Sequence, residues 1–450
     1  MKLHALRNAT LGCAALSLLG GCLDQRHLIG EGPPTDAGAA GGQIGSVGSG
    51  GTVGAGSGGT LGSNSSGGSF IGGGGSGGSG GAGSPPITSL GDQTSQGWPL
   101  MISPAEVARR LSQFILQQPP SQALTAAVVA AAPKTNQDVG QLADGFLLRD
   151  DSLAGRQAFY RWWLRLDDVL SVPRDETLFP LFTPTVRQAL IDQTLAFAED
   201  VTWRPDGDLA TLLTDPSAYV SAETAAWFPG VVAPAPGTPA TRVALDNARY
   251  AGIVTQPALL VTGTVATRAE PSRRGLDLRR RFMCQNIPPE PPGTPALPIP
   301  AGQPLRDAVE ATNNSSPTCM TCHNLVDPPG FAFGHFDGVG AYQDTDDGLP
   351  IDTTGSLVSL DGGPSQTFAG AAELAAIVSA LPDSNSCFAA KWIAFATGSN
   401  PDPDQAVVPT TGTPLADDVA YVVARATTDG SLNLRATIRA VTETHTFLDP

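Results

Sequence analysis

Cys319-Met320-Thr321-Cys322-His323 sets two thiols three residues apart, with an imidazole directly after the second. On a helix that spacing is about one turn, so both sulfurs share a face and the imidazole follows beside them. Thiols so placed can add to neighbouring porphyrin vinyl groups while the adjacent histidine ligates the iron from the proximal side. The expectation is one covalent haem c, with Cys319 and Cys322 as thioether anchors and His323 as proximal iron ligand. Two other readings stay open. A zinc site needs four ligands, and no second C-x-x-C or paired His lies nearby. A Cys319–Cys322 redox disulfide would expect a thioredoxin-like βαβ context, which the sequence lacks.

The sixth iron position is less determined. No methionine follows Met320, which excludes the downstream methionine common in electron carriers. Candidates are His335 in a Gly-rich loop, His445, and the upstream Met283 and Met101. Leu434, Ile438, Val441 and His445 share one helical face, which reads His445 as a packing or capping residue. Otherwise the iron is five-coordinate or water-bound, which favours ligand or peroxide chemistry, and a haem oxidoreductase, over simple electron transfer.

Outward from the motif, the chain has 450 residues, six cysteines and a formal charge of −16. That charge leaves no basic groove for phosphates and argues against nucleic acid as a partner. Lys2 and Arg7 precede an apolar stretch, Leu11 to Leu19, too short to span a bilayer. Leu19-Gly20-Gly21-Cys22 resembles the bacterial lipobox, which predicts a lipoprotein signal peptide over 1–21 and lipidation of Cys22. Acyl chains would anchor the protein to a membrane of the cell envelope. Leu23 at the position after Cys22, where Asp would otherwise stand, favours the outer membrane. Export implies an oxidising compartment. Cys284 and Cys387 are then the cysteines left over, either a disulfide or two buried free thiols.

From residue 22 to 97 the sequence reads as a disordered Gly/Ser-rich tether, with no charged residue between Asp36 and Asp92. Ordered structure is expected from Trp98. Ser103-Pro104-Ala105-Glu106 has the form of a capping box with Pro at the first helical position. Further helical stretches are Ala154–Leu166, Thr183 to about Phe197, Ala371–Leu381, Phe388–Phe395 and Leu432–Phe447. Asp347-Gly348 signals a short β-hairpin within Tyr342–Ile351. Asp344, Asp346, Asp347 and Asp352 miss the register of a calcium loop and read as a solvated hairpin. Arg273, Arg274, Arg279, Arg280 and Arg281 read as a solvated helix face with local ion pairs, or as partners for haem propionates. The fold class is mainly α, with a c-type cytochrome-like haem segment. The expected segments are a helical domain at 98–228, a connector with a proline-rich part at 229–304, the haem segment at 305–365 and a C-terminal helical domain at 366–450.

The haem motif, Asp327-Pro328-Pro329-Gly330-Phe331-Ala332 and Phe336-Asp337-Gly338-Val339-Gly340 together resemble the planctomycete and myxobacterial cytochrome-C-type domain proteins, exported chains largely of unknown function. The likeness extends to Arg274-Gly275, Met283-Cys284-Gln285, Pro350 to Gly355, Cys387, and Ala394 to Gly398. It also takes in the helical stretches around Leu111 and Phe159 to Leu164. It implies a multi-domain, exported, haem-binding architecture in which Cys284 and Cys387 recur as a pair. His335 stands where that family has a polar non-ligand, and Ser399 replaces its usual Arg. Two functional classes follow: a lipid-anchored haem protein that passes electrons to a redox partner or carries out haem-based oxidoreduction, or a surface scaffold lipoprotein with purely structural cysteines.

Overall fold

The computed structural model describes residues 97–288, 303–313, 317–346, 348–360, 362–405 and 409–449. The expected signal peptide, Cys22, almost all of the tether and most of the proline-rich stretch lie outside them. The described part is mainly α-helical with small antiparallel strand pairs, as expected.

Pro104 and the Ser103 hydroxyl, which accepts the Glu106 N–H at 3.2 Å, start α1 (Pro104–Leu111). The Glu106 carboxylate engages Arg109 and Arg110, whose hydrogen bonds pull it down to about 2. A π-helical turn follows, and Gln117 in the left-handed region closes it before Pro119. Next come α2 (Gln122–Ala131) and α3 (Asn136–Leu147), the latter begun by a reciprocal box between Thr135 and Asp138. Helix α4 (Leu153–Trp163) carries the aromatic face; α5 (Pro184–Trp203) runs well past Phe197, and α6 is Leu209–Thr214. Strands β1 (Ser217–Val220) and β2 (Thr241–Ala244) pair with Ser217 opposite Ala244, on either side of a stretch rich in Pro, Ala and Gly at 229–240.

The middle of the chain holds α7 (Pro257–Thr262), α8 (Pro271–Phe282), α9 (Leu305–Asn313) and α10 (Pro317–Phe331). The hairpin expected at Asp347-Gly348 is there, as β3 (Thr345–Asp346) paired with β4 (Leu349–Pro350). It is followed by β5 (Thr354–Leu357) against β6 (Gln366–Ala369). The last helices are α11 (Ala371–Ser379), α12 (Pro382–Thr397), α13 (Pro414–Ala426), α14 (Leu434–Val441) and α15 (His445–Leu448).

Residues 89–450 form one compact unit, in which the segments expected at 98–228, 229–304, 305–365 and 366–450 pack together. Phe159 of α4 stacks on Trp392 of α12 with centroids 3.5 Å apart and planes 10° from parallel. Trp163 lies 4.9 Å from Phe282 and 5.2 Å from Phe388, so the first, middle and last segments meet in one aromatic core. Within 229–304, α7 and α8 contribute to that core. Cys284, just past α8, is disulfide-bonded to Cys387 of α12. No helix among the described residues is long and apolar enough to cross a membrane.

Candidate haem-attachment site

Helix α10 carries the C-x-x-C-H motif, and α8 determines where α10 sits. The two cross at glycines. A Cβ on Gly275 would lie 1.8 Å from the Val326 carbonyl oxygen, and one on Gly330 would lie 1.9 Å from the Pro271 oxygen. Only hydrogen at both positions permits this backbone approach.

Pro328 and Pro329 stand inside α10. Proline has no N–H, so Pro329 offers no donor to the carbonyl of Leu325 one turn earlier. Arg279 supplies one instead, its Nε–H donating to Leu325 O at 2.7 Å. The same guanidinium donates to Val358 O at 3.0 Å and to the Gln285 side chain at 2.6 Å. Arg274 does similar work where α10 ends, donating to Phe333 O, Phe336 O and Asp337 O at 3.0, 2.6 and 2.6 Å. Arg281 pairs with Asp404 at 2.7 Å, and Cys387 lies against its carbonyl.

Three members of the arginine run depart from both readings of it, while Arg273 is exposed as a solvated face requires. Arg274, Arg279 and Arg281 are buried. Their hydrogen bonds go to backbone carbonyls, to the Gln285 and Thr262 side chains and to Asp404, so these three are not solvated and are committed away from propionates. Burial pushes Arg274 and Arg279 down to about 10, and pushes the Asp277 carboxyl up.

On α10 the motif residues occupy one helical turn. Cys319 is exposed, Cys322 is partly exposed, and both are free thiols, whereas Cys284 and Cys387 are joined. His323 is half-buried, and its Nδ1 lies 3.0 Å from Asp327 Oδ1, one turn further along the same face. Asp327 is buried, and its carboxylate also accepts Ser272 Oγ–H of α8 at 2.5 Å and Asn313 Nδ2–H of α9 at 2.7 Å. With Nδ1 directed at Asp327, Nε2 is the nitrogen a metal would use. Two free thiols and an imidazole, all at a helix surface, are a donor set that fits covalent haem. Among the described residues no three His, Cys, Asp or Glu side chains converge as a ligand set for a bare metal ion.

The other ligand candidates lie elsewhere. His335 follows the C-terminal end of α10, whose last residue is already roughly 12 Å along the axis from His323. Its Nδ1 meets Gln343 O at 2.9 Å and its ring stacks on Tyr342. His445 stacks on Trp98 with centroids 4.2 Å apart, Met283 is buried in the core, and Met101 is exposed ahead of α1. The sequence reading missed Asp327, Ser272 and Asn313 as parts of the site. The His-x-x-x-Asp spacing was the available signal for the first.

Residues 250–346 match the PSCyt3 family, described as a protein of unknown function (DUF1588), and residues 102–229 match PSD4, likewise a protein of unknown function (DUF1592). Over these stretches the chain is similar to two planctomycete cytochrome-type domain families of unknown function. The PSCyt3 match spans α7 to α10 and so includes both the motif helix and its α8 clamp, while the PSD4 match spans α1 to α6. No curated protein and no solved structure matches the chain.

Proposed function

We propose that this chain is a lipid-anchored cell-envelope protein that holds one covalent c-type haem for electron transfer or haem-based oxidoreduction. The observation that carries the reading is the pair of free thiols one turn apart beside His323, in a chain whose other two described cysteines are oxidised to a disulfide. Bound haem supplies a one-electron iron couple. Cys319 and Cys322 tether it, His323 holds the iron from one side, and Asp327 keeps the His323 ring in one orientation and tautomer. The α8 arginines and the close crossing at Gly275 and Gly330 hold α10 against displacement when the group is attached. Exposure of Cys319 leaves the attachment face open to a redox partner. Lipidation at Cys22 and outer-membrane placement are supported by the Leu19-Gly20-Gly21-Cys22 pattern and the residues after it.

Full-length chain expressed with cytochrome maturation machinery tests this. Its reduced pyridine adduct should show the α-band of a c-type haem, and its mass should exceed that of the acylated polypeptide by one haem. Cys319→Ala with Cys322→Ala should abolish both. Colourless wild-type protein of bare polypeptide mass ends the reading.

A further inference from the structure

We propose that Asp327 is a positioning residue whose charge makes His323 a stronger iron ligand and so lowers the reduction potential of the site; this rests on the haem reading above. Asp327 is 5% exposed and follows His323 by one turn. Its two other partners, Ser272 Oγ–H and Asn313 Nδ2–H, come from different helices and are uncharged. Together they fix both oxygens in place while leaving the negative charge to act on the imidazole.

The physical consequence follows from the direction of that bond. An imidazole whose Nδ1–H donates to a carboxylate carries more electron density at Nε2 than one donating to a carbonyl, which raises its basicity as a ligand. A more basic axial ligand favours the ferric over the ferrous state, and hydrogen bonding around the axial ligand is one of the levers by which a protein tunes haem. One electron enters the iron on reduction; no bond in the chain forms or breaks. The carboxylate is also ready-made: Gly275 and Gly330 bring α8 within reach, so Ser272 needs no rearrangement to hold it.

The test is a mediator-equilibrated redox titration of the haem-loaded full chain, wild type against Asp327→Asn. The amide keeps the shape and removes the charge. At fixed ambient potential the ferrous/ferric ratio should rise at least tenfold in the variant, which for one electron is about 59 mV. Ser272→Ala, which leaves the charge, should move the ratio less than threefold. A loaded Asp327→Asn protein whose ratio stays within threefold of wild type overturns this inference and leaves the haem reading standing. A wild-type chain that takes up no haem overturns both. Should Asp327→Asn fail to fold, the ring nitrogen chemical shifts of haem-free wild type decide. An Nδ1–H tautomer of His323 supports the positioning role, and a ring with Nδ1 unprotonated refutes it.

Discussion

Gly275 offers the sharpest test of the α8–α10 crossing, because intrinsic propensity and packing give opposite signs there. In the interior of an exposed helix, Gly→Ala gains about 0.5–1 kcal/mol through reduced freedom of the unfolded chain. Gly145, inside α3, is such a position: its Cβ would meet nothing within 4 Å. At Gly275 the new methyl would stand 1.8 Å from Val326 O and 2.9 Å from the Gly330 nitrogen. Backbone atoms of a clamped helix cannot rotate away as a side chain would, so α8 and α10 must part by about 1 Å or more to reach ordinary contact. Overpacking of that kind costs about 1–3 kcal/mol, more where the surroundings are rigid. Gly275→Ala is therefore expected to unfold at lower urea than wild type, and Gly145→Ala at slightly higher, a separation of about 2–4 kcal/mol between the two. Gly330→Ala forces the same two helices apart, so the double variant with Gly275→Ala should cost less than the two single losses combined. Equal stabilisation by alanine at 145 and 275 would refute the close crossing, and strict additivity of 275 with 330 would refute the shared cause.

Arg279→Met keeps much of the volume of the buried side chain but strips three donors from Leu325 O, Val358 O and Gln285. A loss of about 3 kcal/mol or more in denaturant unfolding is expected, with little rescue by Lys, which lacks the planar fork. Cys284 and Cys387 close a loop of 103 residues, so the double Ser variant should lose about 3–5 kcal/mol, and midpoints unchanged from wild type would contradict the pairing. Lys391 is buried with its Nζ donating to Pro403 O at 2.7 Å and Gln405 O at 2.8 Å, and burial pushes its ammonium down to about 8. Between about 8 and its ordinary value near 10.5 the unfolded chain holds a proton that the folded chain has released. Wild-type stability relative to Lys391→Met should therefore rise with pH across that window, by up to about 3 kcal/mol, and a flat or falling difference would contradict it.

Helices whose ends carry caps or whose apolar residues recur at 3.6 were legible beforehand. Ser103-Pro104 and Thr183-Pro184 announced α1 and α5, and Phe159 with Trp163 announced α4. Asp347-Gly348 announced the hairpin between β3 and β4. In α8 a helix was legible but its inward side was not, because Arg274, Gly275, Arg279 and Arg281 are buried there beside Leu278 and Phe282. Those cations are satisfied by carbonyls that only the tertiary structure supplies, so their burial could not be read from the sequence. In α10, two adjacent prolines sit inside a helix that persists because Arg279 replaces a missing backbone donor. The packing of the segments into one unit was not legible for a related reason. Proline-rich stretches look like joints, yet the aromatic faces they separate have no complement except one another. At the site, Cys319, Cys322 and His323 could be read as a unit, whereas the residues that steady them come from α8 and α9 and are visible only in three dimensions.

The meeting of Trp98 with His445, and of Asn136 with the Glu443 carbonyl 307 residues further on, has a consequence for how the molecule is made. A chain synthesised from its N-terminus presents α1 to α4 long before α12 to α15 exist to cover them. Native burial of Phe159 therefore waits on Trp392 of α12, more than two hundred residues further on, and contacts so distant in sequence form slowly. The thiols of Cys319 and Cys322 are consequently on offer in an open polypeptide before the core shuts. Loss of α14 and α15 would leave the earliest helices without their lid.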